Sequence, residues 1–221
     1  MATTSIAELD GVERNAPWIA AQRAEEWAGE LRVNLIRLVA LSVFYAYHLF
    51  NFYVRQLPEI TPQYHYIVSG ITIAWAASAV VLHRSLVRRV NPPYVKYAAV
   101  GWDVFMATSL LIFSDGPRSP FLPLLLLIIA TAPLRIHLRL VWVASLLSLL
   151  SYGVVCGHSK WIQPDGRVPV QHHVIFALSL GVAGLLAGQS VRQARRFAPE
   201  YADRMKFATG LAGTEDMPDE D

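Results

Sequence analysis

Two charged side chains lie inside long apolar stretches of the sequence, where charge is costly. Asp103 interrupts the apolar run at 94–114, and Arg37 interrupts the run at 33–54. An uncompensated charge near the centre of a bilayer costs at least about 2.5 kcal/mol on insertion scales, so each residue must be neutral, paired or in contact with water. Pairing the two would offset part of both costs, and such a pair can line a ligand pocket or form a conformational switch.

Helical spacing places both charges on polar stripes. At 100° per residue, the polar residues of the first run cluster within about a quarter turn: Asn34, Arg37, Tyr45 and His48. The polar residues of the third run align in the same way: Lys96, Asp103 and Ser114. We therefore predict that Asp103 pairs with Arg37 or else with Lys96, and that Arg37, His48, Lys96 and Asp103 form a ligand or switch site.

A second interpretation of the same residues involves no ligand. Arg37 would extend to the lipid phosphates, and Asp103 would complete a structural hydrogen-bond network. The sequence leaves both interpretations open.

Metal or haem binding is the chemistry that the histidines would offer. Five of them fall toward the same side of the predicted bundle, near Cys156: His48, His65, His158, His172 and His173. Zinc ligands usually come in pairs at short fixed spacings, whereas the adjacent His172 and His173 point to different sides of a helix. The sequence identifies no histidine pair that faces another across the bundle, as bis-histidine haem would require. We predict neither a metal nor another cofactor.

Catalytic and nucleotide-binding motifs are missing from the sequence, which lacks GxSxG, HExxH, Walker A and GxGxxG in a suitable context. The single cysteine excludes an intramolecular disulfide and a CxxC motif. The net charge of +2 reflects basic clusters beside apolar runs and an acidic C-terminus, so it does not indicate nucleic-acid binding. We predict that the chain is not an enzyme.

The elements that position these residues are membrane helices. The chain is 54% hydrophobic and 16% charged, and its apolar residues form six blocks near spanning length: 33–54, 64–83, 94–114, 119–134, 139–157 and 171–191. The third and fourth blocks form a hairpin around residues 115–120, and prolines bound the short fourth block. The predicted fold class is all-α, a polytopic integral membrane protein with a six-transmembrane-helix bundle at 33–192.

Arginine placement predicts the orientation of this bundle. Most arginines flank one set of run ends, and few basic residues lie in the opposite loops: Arg55, Arg118, Lys160 and Arg167. The positive-inside rule then places both termini in the cytoplasm. We expect the bundle to lie in the inner (cytoplasmic) membrane.

The flanking segments have different patterns. In the N-terminal segment 1–32, residues 16–31 have the pattern of an amphipathic helix lying on the membrane, with Trp18 and Trp27 at headgroup level. A solvated linker helix is the alternative. Residues 193–221 are predicted to form a short cytoplasmic helix extension and an acidic, disordered tail.

Small residues form a continuous face on the sixth run, which permits close approach by another helix: Ala177, Gly181, Gly184 and Gly188. The fifth run offers a matching surface of Ser145, Ser148 and Tyr152. We expect the fifth and sixth helices to pack together here, with homodimerisation through the glycine face as the alternative.

The segment from Asp103 to Tyr152 resembles the multi-helix membrane sensor region of bacterial two-component histidine kinases. In that family a D-x(n)-T…GG-x-x-SP-F layout recurs, and its positions are occupied here by Asp103, Thr108, Gly116, Ser119, Pro120 and Phe121. Asp115-Gly116-Pro117 replaces the usual glycine pair, and no coiled-coil linker or kinase domain follows the sixth run. The chain is similar also to short bacterial membrane proteins that consist of such a domain alone.

The resemblance implies a non-catalytic membrane sensor that acts through a separate protein. Its partners would be membrane lipids and either another protein or a second copy of the chain. The alternative is a structural or accessory subunit of a larger respiratory or photosynthetic membrane complex, which the small-residue face and short loops favour. A likeness of fold alone does not decide between these functions.

Overall fold

The computed structural model describes the backbone of residues 6–56, 60–88, 94–162 and 168–212, with side chains described from Trp27 to Phe197 within those ranges. These residues form six α-helices: α1 (Ile6–Tyr53), α2 (Pro62–Val87), α3 (Val95–Phe113), α4 (Pro123–Thr131), α5 (Leu138–Ile162) and α6 (Val170–Ala212). Two 3-10 turns, Gly116–Arg118 and Ala132–Arg135, flank α4. The described chain has no strands, and the all-α membrane bundle is confirmed.

Five of the helices are long and apolar enough to cross a bilayer, and α4 is the exception. Its 9 residues rise about 14 Å, roughly half of a hydrocarbon core. Pro123 begins α4, and the chain tightens into a 3-10 turn around Pro133, which has no backbone N–H to donate to a further α-helical turn. The fourth apolar block is therefore shorter as a helix than as a sequence run, although its prolines bound the helix as predicted.

The N-terminal segment does not form a separate helix. α1 continues without a break from Ile6 through the first span, so the helix predicted at 16–31 is part of α1. Trp27 donates a hydrogen bond from Nε1 to the carbonyl of Leu86 at 2.8 Å, which ties it to the last turn of α2. The side chains before Trp27, including Trp18, lie outside the described residues.

The helix extension predicted after residue 193 is present, because α6 continues to Ala212. The acidic tail at 213–221 lies outside the described residues.

The bundle has two different ends. The basic end carries the start of the α1 span, the last turn of α2 and the 3-10 turn after α4. The opposite end carries the connection between α3 and α4.

The core lies around α5, which packs against both α3 and α6. Side chains along one face of α5 are fully buried: Val141, Ala144, Ser148 and Val155. Large apolar side chains on the outer faces of the helices are exposed, as expected where lipid surrounds a bundle.

The small-residue face of α6 is used inside the chain. A Cβ added at Gly184 would lie 2.5 Å from Ser145 Oγ, and one at Gly188 would lie 3.7 Å from Leu138 on α5. Ala177 is partly buried against the core, whereas a Cβ at Gly181 would meet no atom within 4 Å. The predicted packing of the fifth and sixth helices is confirmed at Gly184 and Gly188. Homodimerisation through these two glycines is the wrong alternative, because α5 already covers them.

Candidate functional site

Asp103 lies at the meeting point of α1, α2 and α3, and both of its carboxylate oxygens have partners. Arg37 of α1 donates from Nη2 to Oδ2 of Asp103, forming a buried ion pair. Trp75 of α2 donates from Nε1 to Oδ1 at 2.9 Å. The predicted pairing of Asp103 with Arg37 is therefore present, and Trp75 is a partner that the sequence did not reveal.

The guanidinium of Arg37 extends this contact along α1. Its Nη1 donates to Oδ1 of Asn34 at 3.0 Å, and Nδ2 of Asn34 donates to the carbonyl of Ala79 on α2 at 3.0 Å. Arg37 points into the bundle, so the prediction that it reaches the lipid phosphates is wrong. The hydrogen-bond network that the second interpretation placed around Asp103 does exist, and it includes Arg37.

Lys96 takes part in a different contact. Its amine lies 2.9 Å from Nε2 of His137, which follows the 3-10 turn after α4. Ser114, the third member of the predicted stripe on α3, contacts Ser119 at 2.5 Å near the opposite end of the bundle. The three residues of the predicted stripe therefore make separate contacts at three different depths of the bundle.

His48 is also separate from the charged pair. Eleven residues of helix, about 16 Å, separate it from Arg37. Its Nε2 lies 3.1 Å from Nδ1 of His65 on α2, and Phe52 stacks on the ring of His65 with 4.0 Å between centroids. Of the predicted site residues, the structure brings Arg37 and Asp103 into direct contact and places His48 and Lys96 in other contacts.

The His48–His65 pair bears on the haem hypothesis, because the sequence had identified no facing histidines. The two imidazole nitrogens are at hydrogen-bond distance, whereas a metal ion between them would need about 4 Å, given metal–nitrogen bonds of about 2 Å. Elsewhere, His173 lies 3.0 Å from the hydroxyl of Tyr152 and 3.4 Å from Sγ of Cys156. Within the described ranges, no three His, Cys, Asp or Glu residues lie close enough together to hold a metal ion.

A second buried ion pair lies nearer the basic end and was missed from the sequence. Nε of Arg135 lies 3.0 Å from Oε2 of Glu30, and both residues are almost fully buried. Both residues flank apolar runs in the sequence, where charged residues usually lie at the membrane surface. The available signal was spacing, since Glu30 is seven residues before Arg37 and shares its face of α1.

The two ion pairs form one charge network, made of Glu30, Arg37, Asp103 and Arg135. Nη1 of Arg135 lies 3.5 Å from the carbonyl of Lys96 on α3, two helical turns before Asp103, and Glu30 lies two turns before Arg37 on α1. The network holds two positive and two negative charges, so its net charge is zero when all four residues are ionised. It connects α1, α3 and the 3-10 turn after α4.

A cavity of about 30 Å³ borders the Arg37–Asp103 pair. Its lining is mostly apolar and comes from α1, α2, α3 and α4: Val33, Ile36, Arg37, Ala40, Leu41, Trp75, Asp103, Leu124, Leu127, Ile128 and Thr131. A second cavity of about 10 Å³ lies beside His48 and shares Leu41 and Leu124 with the first.

Comparison with known protein families matches residues 22–196 to the model described as the PilS-like transmembrane domain, a domain of six transmembrane helices. The match extends from within α1 to within α6 and covers most of the chain. No curated protein and no solved structure matches the chain.

Proposed function

Because the chain belongs to the family of PilS-like transmembrane domains, we propose that its bundle receives a signal in the bilayer and passes it to a separate partner protein. Family membership supports a membrane sensor-type domain. The finer proposal is that a movement of the helices at the basic end conveys the signal, with both termini in the cytoplasm and the bundle in the inner membrane. Arginines at this end support the orientation: Arg84, Arg88, Arg135, Arg139, Arg192, Arg195 and Arg196.

The continuity of α6 is the observation that carries this proposal. α6 has 43 residues, about 65 Å of helix, which is roughly twice the thickness of a hydrocarbon core. Its apolar run ends before Arg192, and the helix continues to Ala212. A shift or rotation of α6 inside the bundle would therefore move the segment outside it.

Contacts at the basic end connect α6 to the charge network. Arg195 donates from Nε and Nη2 to the carbonyl of Ile136, at 3.2 and 2.8 Å. Ile136 directly follows Arg135, which pairs with Glu30 of the network. The charge network is thus connected to α6 through Arg135 and Ile136. A measured coupling between the network and α6 would show that signalling uses this route.

Photo-crosslinking in native membranes tests the proposal. A photoreactive phenylalanine analogue replaces Phe197, which is exposed on α6 just after Arg195 and Arg196, or Phe113, which is equally exposed at the opposite end. We expect a specific protein adduct from position 197 that is missing from position 113. A kinase, cyclase or transcriptional regulator in the adduct would support signalling, and specific adducts from both ends would contradict it.

The alternative of an accessory subunit loses one of its supports. The small-residue face that favoured it is covered by α5 at Gly184 and Gly188. Affinity purification in mild detergent followed by mass spectrometry distinguishes the two functions. Stoichiometric respiratory or photosynthetic subunits would favour the accessory role.

A further inference from the structure

An apolar opening between α1 and α4 leads to the Arg37–Asp103 pair. α1 packs along α2 and against the 3-10 turn after α4. Partly exposed side chains form the two walls of the opening: Ile36 and Ala40 from α1, and Leu127 and Ile128 from α4. We call this opening, with the 30 Å³ cavity at its floor, the α1–α4 crevice.

The floor of the crevice offers hydrogen-bond donors. An arginine side chain carries five N–H donors, and the structure assigns one from Arg37 to Asp103 and one to Asn34. Arg37 lines the crevice, and the other lining residues are mainly aliphatic. A molecule that enters would therefore place a hydrogen-bond acceptor against Arg37 and an apolar body between the walls.

The charge of the floor favours a neutral molecule. Arg37 is already neutralised by Asp103, and Arg135 by Glu30. An anionic occupant would add an uncompensated charge to a region of low dielectric constant, which costs several kcal/mol.

The depth of the crevice floor also favours a neutral molecule over a charged lipid headgroup. Asp103, which pairs with Arg37, lies near the middle of α3, about 12 Å of helix from Val95 and about 15 Å from Phe113. A phospholipid phosphate stays at the membrane surface, whereas this floor lies deep in the hydrocarbon region.

We propose that the α1–α4 crevice binds a neutral, lipid-soluble molecule that enters from the bilayer and places a carbonyl-type oxygen against Arg37. The cavity admits the acceptor group alone, and the apolar body lies in the opening and the surrounding lipid. Such an occupant accepts from an N–H group of Arg37 other than those that donate to Asp103 and Asn34, so the ion pair stays intact. The proposed binding site is inferred from these contacts. The interpretation of its occupancy as a signal rests on the proposed sensor function.

Photolabelling of the purified full chain in lipid nanodiscs tests the site. Three probes share one chain length and one diazirine, and differ in the head: a methyl ester, a permanently anionic sulfonate, or a plain hydrocarbon end. We expect the ester to label the crevice walls about fivefold more than the hydrocarbon, the value of one hydrogen bond near 1 kcal/mol. The sulfonate should label them at least about tenfold less than the ester. Equal labelling by ester and hydrocarbon, or strongest labelling by the sulfonate, would overturn the proposal.

Crevice-filling variants supply the matched control. Ala40→Phe narrows the opening from α1, and Val39→Phe adds the same ring at the neighbouring, 55% exposed position. Ile128→Phe fills the opening from α4, in case Ala40→Phe fails to fold. The ester preference should disappear in a folded crevice variant and persist in Val39→Phe; persistence in all variants would contradict the site. Because no partner protein is present, this result is independent of the crosslinking at Phe197.

Discussion

At the scale of single residues, Asp103 shows how a membrane helix accommodates a charge. Burial of one carboxylate is costly, and a single ion pair does not repay that cost unless further hydrogen bonds satisfy the remaining lone pairs. Arg37 engages one oxygen and the indole of Trp75 engages the other, while Asn34 orients the guanidinium. Removal of one partner therefore leaves the other buried without compensation.

Neutralising both Asp103 and Arg37 should lower the unfolding free energy by less than the sum of the two single losses. In a double-mutant cycle of Asp103→Asn and Arg37→Gln, we expect a coupling of about 1 kcal/mol or more, because the two side chains touch. Unfolding in mild detergent measures it. Asp103→Asn combined with the distant His48→Gln should be additive, and an equal coupling there would show that the effect is not specific to the pair.

The second ion pair makes a similar prediction with a control nearby. Arg135→Gln leaves Glu30 buried and unpaired, so we expect a loss of about 3 kcal/mol in unfolding free energy. Arg139→Gln changes an exposed arginine four residues later and should cost less than about 0.5 kcal/mol. If thermal unfolding shows similar losses of unfolding free energy for Arg135→Gln and Arg139→Gln, the contact with Glu30 contributes little to stability.

At the scale of elements, the close contacts depend on small residues at particular crossings. Gly184 lets α6 approach Ser145 of α5, and Gly29 lets α1 approach the backbone carbonyl of Leu134 in the 3-10 turn. Any side chain at these positions would force the two elements apart. The crossings hold α6 and α1, the two helices that extend beyond the bundle.

Two alanine substitutions on α6 test this argument. Gly184→Ala places a Cβ against Ser145 and should lower the unfolding free energy by about 1–3 kcal/mol, the usual cost of overpacking. Gly181→Ala meets open space and should be neutral or gain up to about 1 kcal/mol from helix propensity. Thermal unfolding in detergent compares the two. If Gly184→Ala melts like the unsubstituted chain, α5 and α6 are not held by this contact.

At the scale of the whole molecule, the bundle has a basic end, where charged side chains link its elements, and an opposite end with short connections. Glu30, Arg135 and Arg195 link α1, the 3-10 turn and α6 at the basic end. At the opposite end, Asp115 and Gly116 adopt left-handed backbone conformations in the turn between α3 and α4. This asymmetry agrees with a molecule that receives a signal in the membrane and transmits it at its basic end.

Cysteine labelling tests the orientation of the whole molecule. Gly116 would be a poor site, because it is buried with φ at +57°, so Arg118→Cys and Ile162→Cys are the exposed choices at the opposite end. In a Cys156→Ser background, both should react with a membrane-impermeant maleimide added to intact cells, while Arg196→Cys should react only after lysis. The reverse pattern would invert the proposed topology.

The sequence alone determined the class of fold and limited the expected partners of Asp103 to Arg37 and Lys96. A bilayer leaves a long apolar segment little choice but a helix, since every backbone polar group must be satisfied internally, so run length was sufficient. Burial likewise leaves Asp103 few partners, and helical periodicity placed Arg37 among them.

Tertiary structure decided which residues join that pair. Trp75 and Arg135 reach the network because of the way α2 and the 3-10 turn are rotated against α1. The same rotations placed His48 beside His65 and Gly184 against Ser145. Periodicity tells which residues share a face of one helix, but the neighbour that this face meets depends on packing among all the helices, which no local spacing records.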